Sequence, residues 1–127
     1  MIYLDSSVAL THIFAESRRL PASLWDEQLV SSRLLEYEIW NRIHARGFTF
    51  SHEAVRELIS RVNLLELDSD CLARALEPFP IVVRTLDALH LASVEFLRAH
   101  RIDVELASLD ARMLLAAQAL NIPIRGW

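Results

Sequence analysis

The chain has 127 residues, with 13 basic side chains against 17 acidic ones, a formal net charge of −4 and 53% hydrophobic content, which together describe one folded domain over residues 1–127. All 13 basic residues are arginine, and the absence of lysine excludes P-loop nucleotidases, Schiff-base and pyridoxal enzymes, and receiver-type phosphoacceptor domains, which set a lysine beside their aspartates. The single cysteine, Cys71, excludes an internal disulfide and a cysteine-rich zinc site and suits a reducing cytoplasm.

The opening Met1-Ile2-Tyr3-Leu4-Asp5 carries no basic segment leading into a long apolar run, and no apolar stretch nears the roughly 20 residues that span a bilayer. A soluble, cytoplasmic protein with no membrane partner is expected. Ile2 to Leu4 reads as a short buried strand ending at Asp5, after which Ser6 or Ser7 can cap a helix through Val8, Leu10, Ile13 and Phe14. Pro21 suits the first turn of a short helix carrying Leu24 and Trp25. Leu29-Val30 reads as a second strand, with Ser31 or Ser32 capping a helix of Leu34, Leu35, Ile39, Trp40 and Ile43 that ends near Gly47. Ser51 is placed to cap a helix bearing Val55, Leu58, Ile59 and Val62; Leu64 to Leu67 is read as a strand, and Ser69 opens a helix through Leu72, Ala75 and Leu76. Beyond Pro78 and Pro80, Thr85 is expected to cap a helix through Leu97, followed by a strand at Val104 to Ala107, a helix at Ala111 to Leu120 and a last strand at Ile122 to Ile124. Strands alternating with helices imply an α/β fold, a short parallel sheet covered on both faces.

In such sheets ligands bind beyond the carboxyl ends of the strands. Asp5 ends the first strand, Asp110 follows the Val104–Ser108 segment, Asp87 falls in the first turn of its helix, and Glu38 lies about a turn and a half into the third helix. Taken singly, each has an ordinary structural role: a cap, a first-turn acid favouring the helix dipole by about 0.3–1 kcal/mol, or a solvated helical glutamate. Glu36 is a rival to Glu38. Gathered together, the carboxylates repel one another, and a divalent cation relieves that conflict. Oxygen-only ligation suits Mg²⁺ or Mn²⁺.

Four local patterns carry a resemblance. Ile2-Tyr3-Leu4-Asp5-Ser6-Ser7-Val8-Ala9-Leu10 resembles the opening of PIN-domain nucleases, specifically the VapC toxins of bacterial toxin–antitoxin pairs. Ser31-Ser32-Arg33-Leu34-Leu35-Glu36-Tyr37-Glu38 resembles their second motif, whose register sets the family glutamate on Glu38. Arg84-Thr85-Leu86-Asp87-Ala88-Leu89-His90-Leu91-Ala92 resembles the third almost throughout, and Ser108-Leu109-Asp110-Ala111-Arg112 the fourth, with serine where threonine is more usual. The order is that of the family and spans essentially the whole chain.

The resemblance implies a PIN-like domain acting as a metal-dependent endoribonuclease. Asp5, Asp87 and Asp110 would hold Mg²⁺ (or Mn²⁺) directly or through water, with Glu38 completing the quartet and Ser6 and Ser108 orienting carboxylates. It also implies an RNA substrate, a homodimer, and a VapB-like antitoxin that sets a basic side chain among the acids. The alternative is a noncatalytic PIN-like module that binds a protein or RNA. Arg33, Arg84 and Arg112, with Arg42 and Arg46, are candidates for a positive rim that contacts phosphate. His90, three residues after Asp87, has the spacing of a metal pair but reads first as a packing residue. Trp40 lies on an apolar helical stripe and reads as core.

Overall fold

The computed structural model describes residues 1–14, 20–47 and 52–126. Its parallel sheet has four strands, β1 (Ile2–Leu4), β2 (Leu29–Ser32), β3 (Val62–Leu65) and β4 (Glu105–Ala107), in the order β3-β2-β1-β4. The central strand is apolar at every position because both of its faces are covered. Strand alternation sends Ile2 and Leu4 one way and Tyr3 the other. On the first face, Ile2, Leu4, Leu29 and Ala107 meet Val8, Leu35, Ile39 and Val55. These come from α1 (Ser6–Ile13), α2 (Leu34–Arg46) and α3 (His52–Ser60). On the second face, Tyr3, Val30 and Leu106 meet Leu91, Val94, Met113 and Ala116 of α5 (Thr85–Ala99) and α6 (Ala111–Ala119). Each fully buried leucine or isoleucine contributes about 1.5–3 kcal/mol to holding these layers together. A short α4 (Ser69–Ala75) packs against α5. No described helix is long and apolar enough to cross a membrane.

The α/β class and the two covered faces are those expected from the sequence, but several helix ends differ. Asp5, not Ser6 or Ser7, caps α1, its carboxylate accepting from the Ser7 N–H. Asp68, not Ser69, caps α4, and Asp110 caps α6. A carboxylate is favoured at the positive end of a helix, and at Asp5 and Asp68 it takes the cap from the serine beside it. Thr85 is the first residue of α5 rather than its cap, and Arg84 before it makes no side-chain cap. Ser32 stays in β2, although its hydroxyl accepts from the Leu34 N–H at 3.0 Å. The α2 helix ends at Gly47, whose φ of 64° is the left-handed conformation that glycine adopts freely.

Pro21 precedes a 3₁₀ turn at Ala22–Asp26 instead of opening an α-helix. Val62 belongs to β3, paired with Leu29, so the helix expected to carry it stops at Ser60 and the strand ends at Leu65 rather than Leu67. Ile124 makes one bridge to Leu106 in place of a last strand, since the neighbouring Pro123 has no N–H to extend the ladder. The expected cap at Ser51 lies outside the described residues.

From β1 the chain steps outward to β2 and β3, then returns across β1 to β4. The direction of winding therefore reverses between β1 and β4, and the crevice beyond their carboxyl ends is where an open α/β sheet binds ligands.

Candidate active site

Leu4 pairs with Ala107, so the residues following β1 and β4, Asp5 and Ser108 to Asp110, emerge side by side. A cleft of about 530 Å³ opens at this point, with Ser6, Ser7, Glu38, Arg42, Arg84, Asp87 and Asp110 among its lining residues. Asp5 lies behind the wall, 3% exposed. Its Oδ1 accepts from the Ser7 backbone N–H at 3.0 Å and from the Ser7 hydroxyl, and its Oδ2 accepts from the Ser108 hydroxyl. Both hydroxyls are doubly engaged, Ser7 Oγ accepting the Leu109 N–H at 2.9 Å and Ser108 Oγ the Asp110 N–H at 3.0 Å. The two serines thus lace the end of β1 to the end of β4. Burial pushes the Asp5 carboxyl above its ordinary range, while hydrogen bonds from Ser108 and Ser7 act to hold it down.

Glu38 reaches the same cleft from α2. The Ser6 hydroxyl donates to its Oε2 at 3.0 Å, and His90 Nε2 stands 2.5 Å from its Oε1. Glu36 does not line the cleft and instead pairs with Arg33 at 3.1 Å. Asp87, in the first turn of α5, and Asp110, at the head of α6, form the opposite wall. Asp110 uses Oδ1 to accept the Arg112 N–H at 2.9 Å. Its Oδ2 and the Asp87 Oδ2 each lie 3.5 Å from the Arg84 guanidinium, through Nη2 and Nε respectively.

The donor set around the cleft is carboxylate and hydroxyl oxygen, which fits a hard cation such as Mg²⁺ or Mn²⁺. Among the described residues no group of three or more carboxylate, imidazole or thiolate side chains stands close enough together to hold a metal ion. An ion that keeps several of its waters needs only one or two carboxylates directly. Where such an ion would neutralise Asp87 and Asp110, the guanidinium of Arg84 now does so.

The four acids expected from the sequence are brought together, Asp5 through its contact with Ser7 and the other three on the cleft surface. Ser6 and Ser108 each touch one of them. Of the five candidate rim arginines, Arg84 and Arg42 line the cleft; Arg33, Arg46 and Arg112 do not, and Arg33 is held by Glu36 and Glu66. Ser7 and His90 have larger roles in the geometry than the sequence suggested. Ser7 looked like a helix cap. His90 looked like packing; its signal was a polar residue on an otherwise apolar helical face.

The PIN-domain family model matches residues 2–120, and the chain belongs to that family. Ribonuclease VapC46 of Mycobacterium tuberculosis (strain ATCC 25618 / H37Rv) is 35% identical to it over 129 aligned positions, covering 97% of this chain and 95% of that protein. The VapC-type resemblance carried by the four motifs therefore holds.

Proposed function

We propose that this protein, as a single PIN-like domain, is a Mg²⁺-dependent endoribonuclease, with Mn²⁺ able to substitute, and that it is the toxin of a VapBC-type toxin–antitoxin pair in the cytoplasm. The observation that carries this reading is the approach of four acids from four different elements to one cleft at the β1/β4 reversal, with oxygen donors alone. Asp5, Asp87 and Asp110 would hold the cation directly or through its waters, and Glu38 would complete the set. When bound, the cation supplies Lewis-acid polarisation of the phosphodiester and stabilises charge on the leaving oxygen. The Ser108 hydroxyl fixes Asp5, and the Ser6 hydroxyl fixes Glu38. Arg84, at the mouth, offers the planar donors that suit a phosphate, with Arg33 and Arg112 as lesser contributors. The likeness to a VapC ribonuclease supports an RNA substrate and a VapB-like antitoxin, and a homodimer is part of the same reading.

The test is cleavage of RNA with and without Mg²⁺. Asp5→Asn and Asp87→Asn are each expected to lower Mg²⁺-dependent cleavage by about 100-fold or more, the scale of losing one strong electrostatic contact to a transition state. Circular dichroism should show both variants folded. Retained cleavage in both overturns the site, and RNA binding without cleavage by the unmodified protein favours the noncatalytic module.

A further inference from the structure

We propose that His90 is a positioning residue that holds Glu38 in the cleft through a buried chain of hydrogen bonds running from Tyr3 to His90 to Glu38. The inference rests on the reading of Glu38 as one of the four site acids. His90 is 1% exposed in a stretch of α5 buried all round, whose other buried members are Ala88, Leu91, Ala92 and Val94 with the small Ser93. A polar ring among such neighbours is costly unless both of its nitrogens are satisfied. Both are: Tyr3 Oη lies 2.8 Å from Nδ1, and Glu38 Oε1 lies 2.5 Å from Nε2.

The direction of each bond follows from what the partners can do. An ionised carboxylate only accepts, so Nε2 carries the hydrogen that meets Glu38. A ring that carries its one hydrogen there has its lone pair on Nδ1, which accepts the Tyr3 O–H. The Tyr3 oxygen in turn accepts the Ser32 backbone N–H at 3.1 Å. Every hydrogen in the chain points towards Glu38, and each step sets the tautomer or rotor of the next.

The geometry gives the chain a consequence beyond packing. Tyr3 belongs to β1, two residues before Asp5, and His90 lies one helical turn after Asp87. Ser6, the residue after Asp5, donates to the second oxygen of Glu38. Both oxygens of Glu38 are therefore referenced to the elements that carry Asp5 and Asp87, although Glu38 arrives from α2. A histidine that merely fills the core would stabilise the fold without controlling how that carboxylate is aimed.

The experiment combines a coupling measurement with a spectroscopic one. In the metal-free protein, long-range ¹H–¹⁵N correlation of the imidazole is expected to show His90 protonated at Nε2 and bare at Nδ1, with the Nδ1 resonance displaced in Tyr3→Phe. Protonation at Nδ1 alone would overturn the proposal. For RNA cleavage with Mg²⁺, His90→Leu should lower kcat about 10- to 100-fold, the range for partners that orient a metal-site residue. His90→Gln, which keeps an N–H near the Nε2 position, should recover most of that loss. In a Glu38→Gln background, His90→Leu should cost less than about twofold more, because the two act as one unit. Full, additive losses, or a His90→Gln variant no better than His90→Leu, overturn the positioning role while leaving the four-acid site intact. Undiminished cleavage by Glu38→Gln overturns the site reading itself, and this inference with it. If His90→Leu does not fold, the tautomer and the His90→Gln and Tyr3→Phe variants still decide the matter.

Discussion

The two walls of the cleft hold their carboxylates by opposite means. Asp5 and Glu38 each have donors on both oxygens, supplied by short, ordered side chains: Ser7 and Ser108 for the first, Ser6 and His90 for the second. Across the cleft, Asp87 and Oδ2 of Asp110 meet Arg84, at 3.5 Å, from a side chain that is 67% exposed. One wall is locked from behind; the other is neutralised from solvent by a long, exchangeable cation. For the proposed metal-dependent nuclease that division is useful, since rigid groups set the geometry and loose ones give way.

Four measurements can break or sharpen this contrast. The largest effect belongs to the locked wall: Glu38→Gln is expected to lower RNA cleavage about 100-fold, the loss seen when a strong transition-state contact is removed. Glu36→Gln, which touches only the ion pair with Arg33, should change it less than about twofold. A larger loss at Glu36 would reverse the register of the second motif. Next, Ser108→Ala removes a donor from a buried carboxylate and should destabilise the metal-free protein by about 1.5–3 kcal/mol, read from its urea midpoint. A change within error would show that Asp5 is not locked.

On the loose wall, Arg84→Met should leave the urea midpoint within about 0.5 kcal/mol, as exposed ion pairs do. It should nevertheless tighten Mn²⁺ binding by calorimetry about threefold to tenfold, the worth of one nearby charge in water. Arg42→Met, which removes a charge from the same cleft without touching either aspartate in the contacts seen here, provides the control. Equal tightening in both would mean that general charge, and not the seat between Asp87 and Asp110, sets the affinity.

The smallest effect lies outside both walls, at His12, which lines a different pocket with Trp25 and Arg61. Burial first, and the Arg61 charge second, hold its imidazole below the ordinary value. A depressed folded-state value means that the associated stability is present above the ordinary histidine range and is lost as pH falls through the folded value. His12→Gln should therefore flatten the decline in stability between about pH 7 and 5, with the NMR midpoint of His12 below 6.5 in the unmodified protein. An unchanged slope would remove His12 from the pH response and leave the carboxylates to explain it.

Much of the architecture was legible because it is written locally. Three successive apolar residues before Asp5 announce a strand buried on both faces, and Leu35, Ile39 and Ile43 recur at helical spacing. Asp5, Asp87 and Asp110 were legible as acids at a strand end or helix start, and Glu38 through the register of its motif. Contacts that join distant segments had no such local trace. Tyr3 and His90 are 87 positions apart, and His90 and Glu38 are 52 apart, so nothing beside His90 in the chain announces its partners. The caps at Asp5 and Asp68 replace the serines expected beside them for another reason: acid and hydroxyl stand next to each other, and the winner depends on backbone angles that spacing does not encode. Val62 was assigned to a helix because its apolar spacing fits one, while its pairing with Leu29 made it a strand.

The central position of β1 also makes the cleft depend on segments far apart in the chain. Its first neighbour in the sheet, β2, follows within thirty residues, but its other neighbour, β4, and the Ser108 hydroxyl that grips Asp5 come 103 residues after that aspartate. A nascent chain can lay down β1, β2 and β3 and bury one face of its sheet without having Asp110 at all. The cleft can take its full shape only once the segment carrying β4, Ser108 and Asp110 is in place.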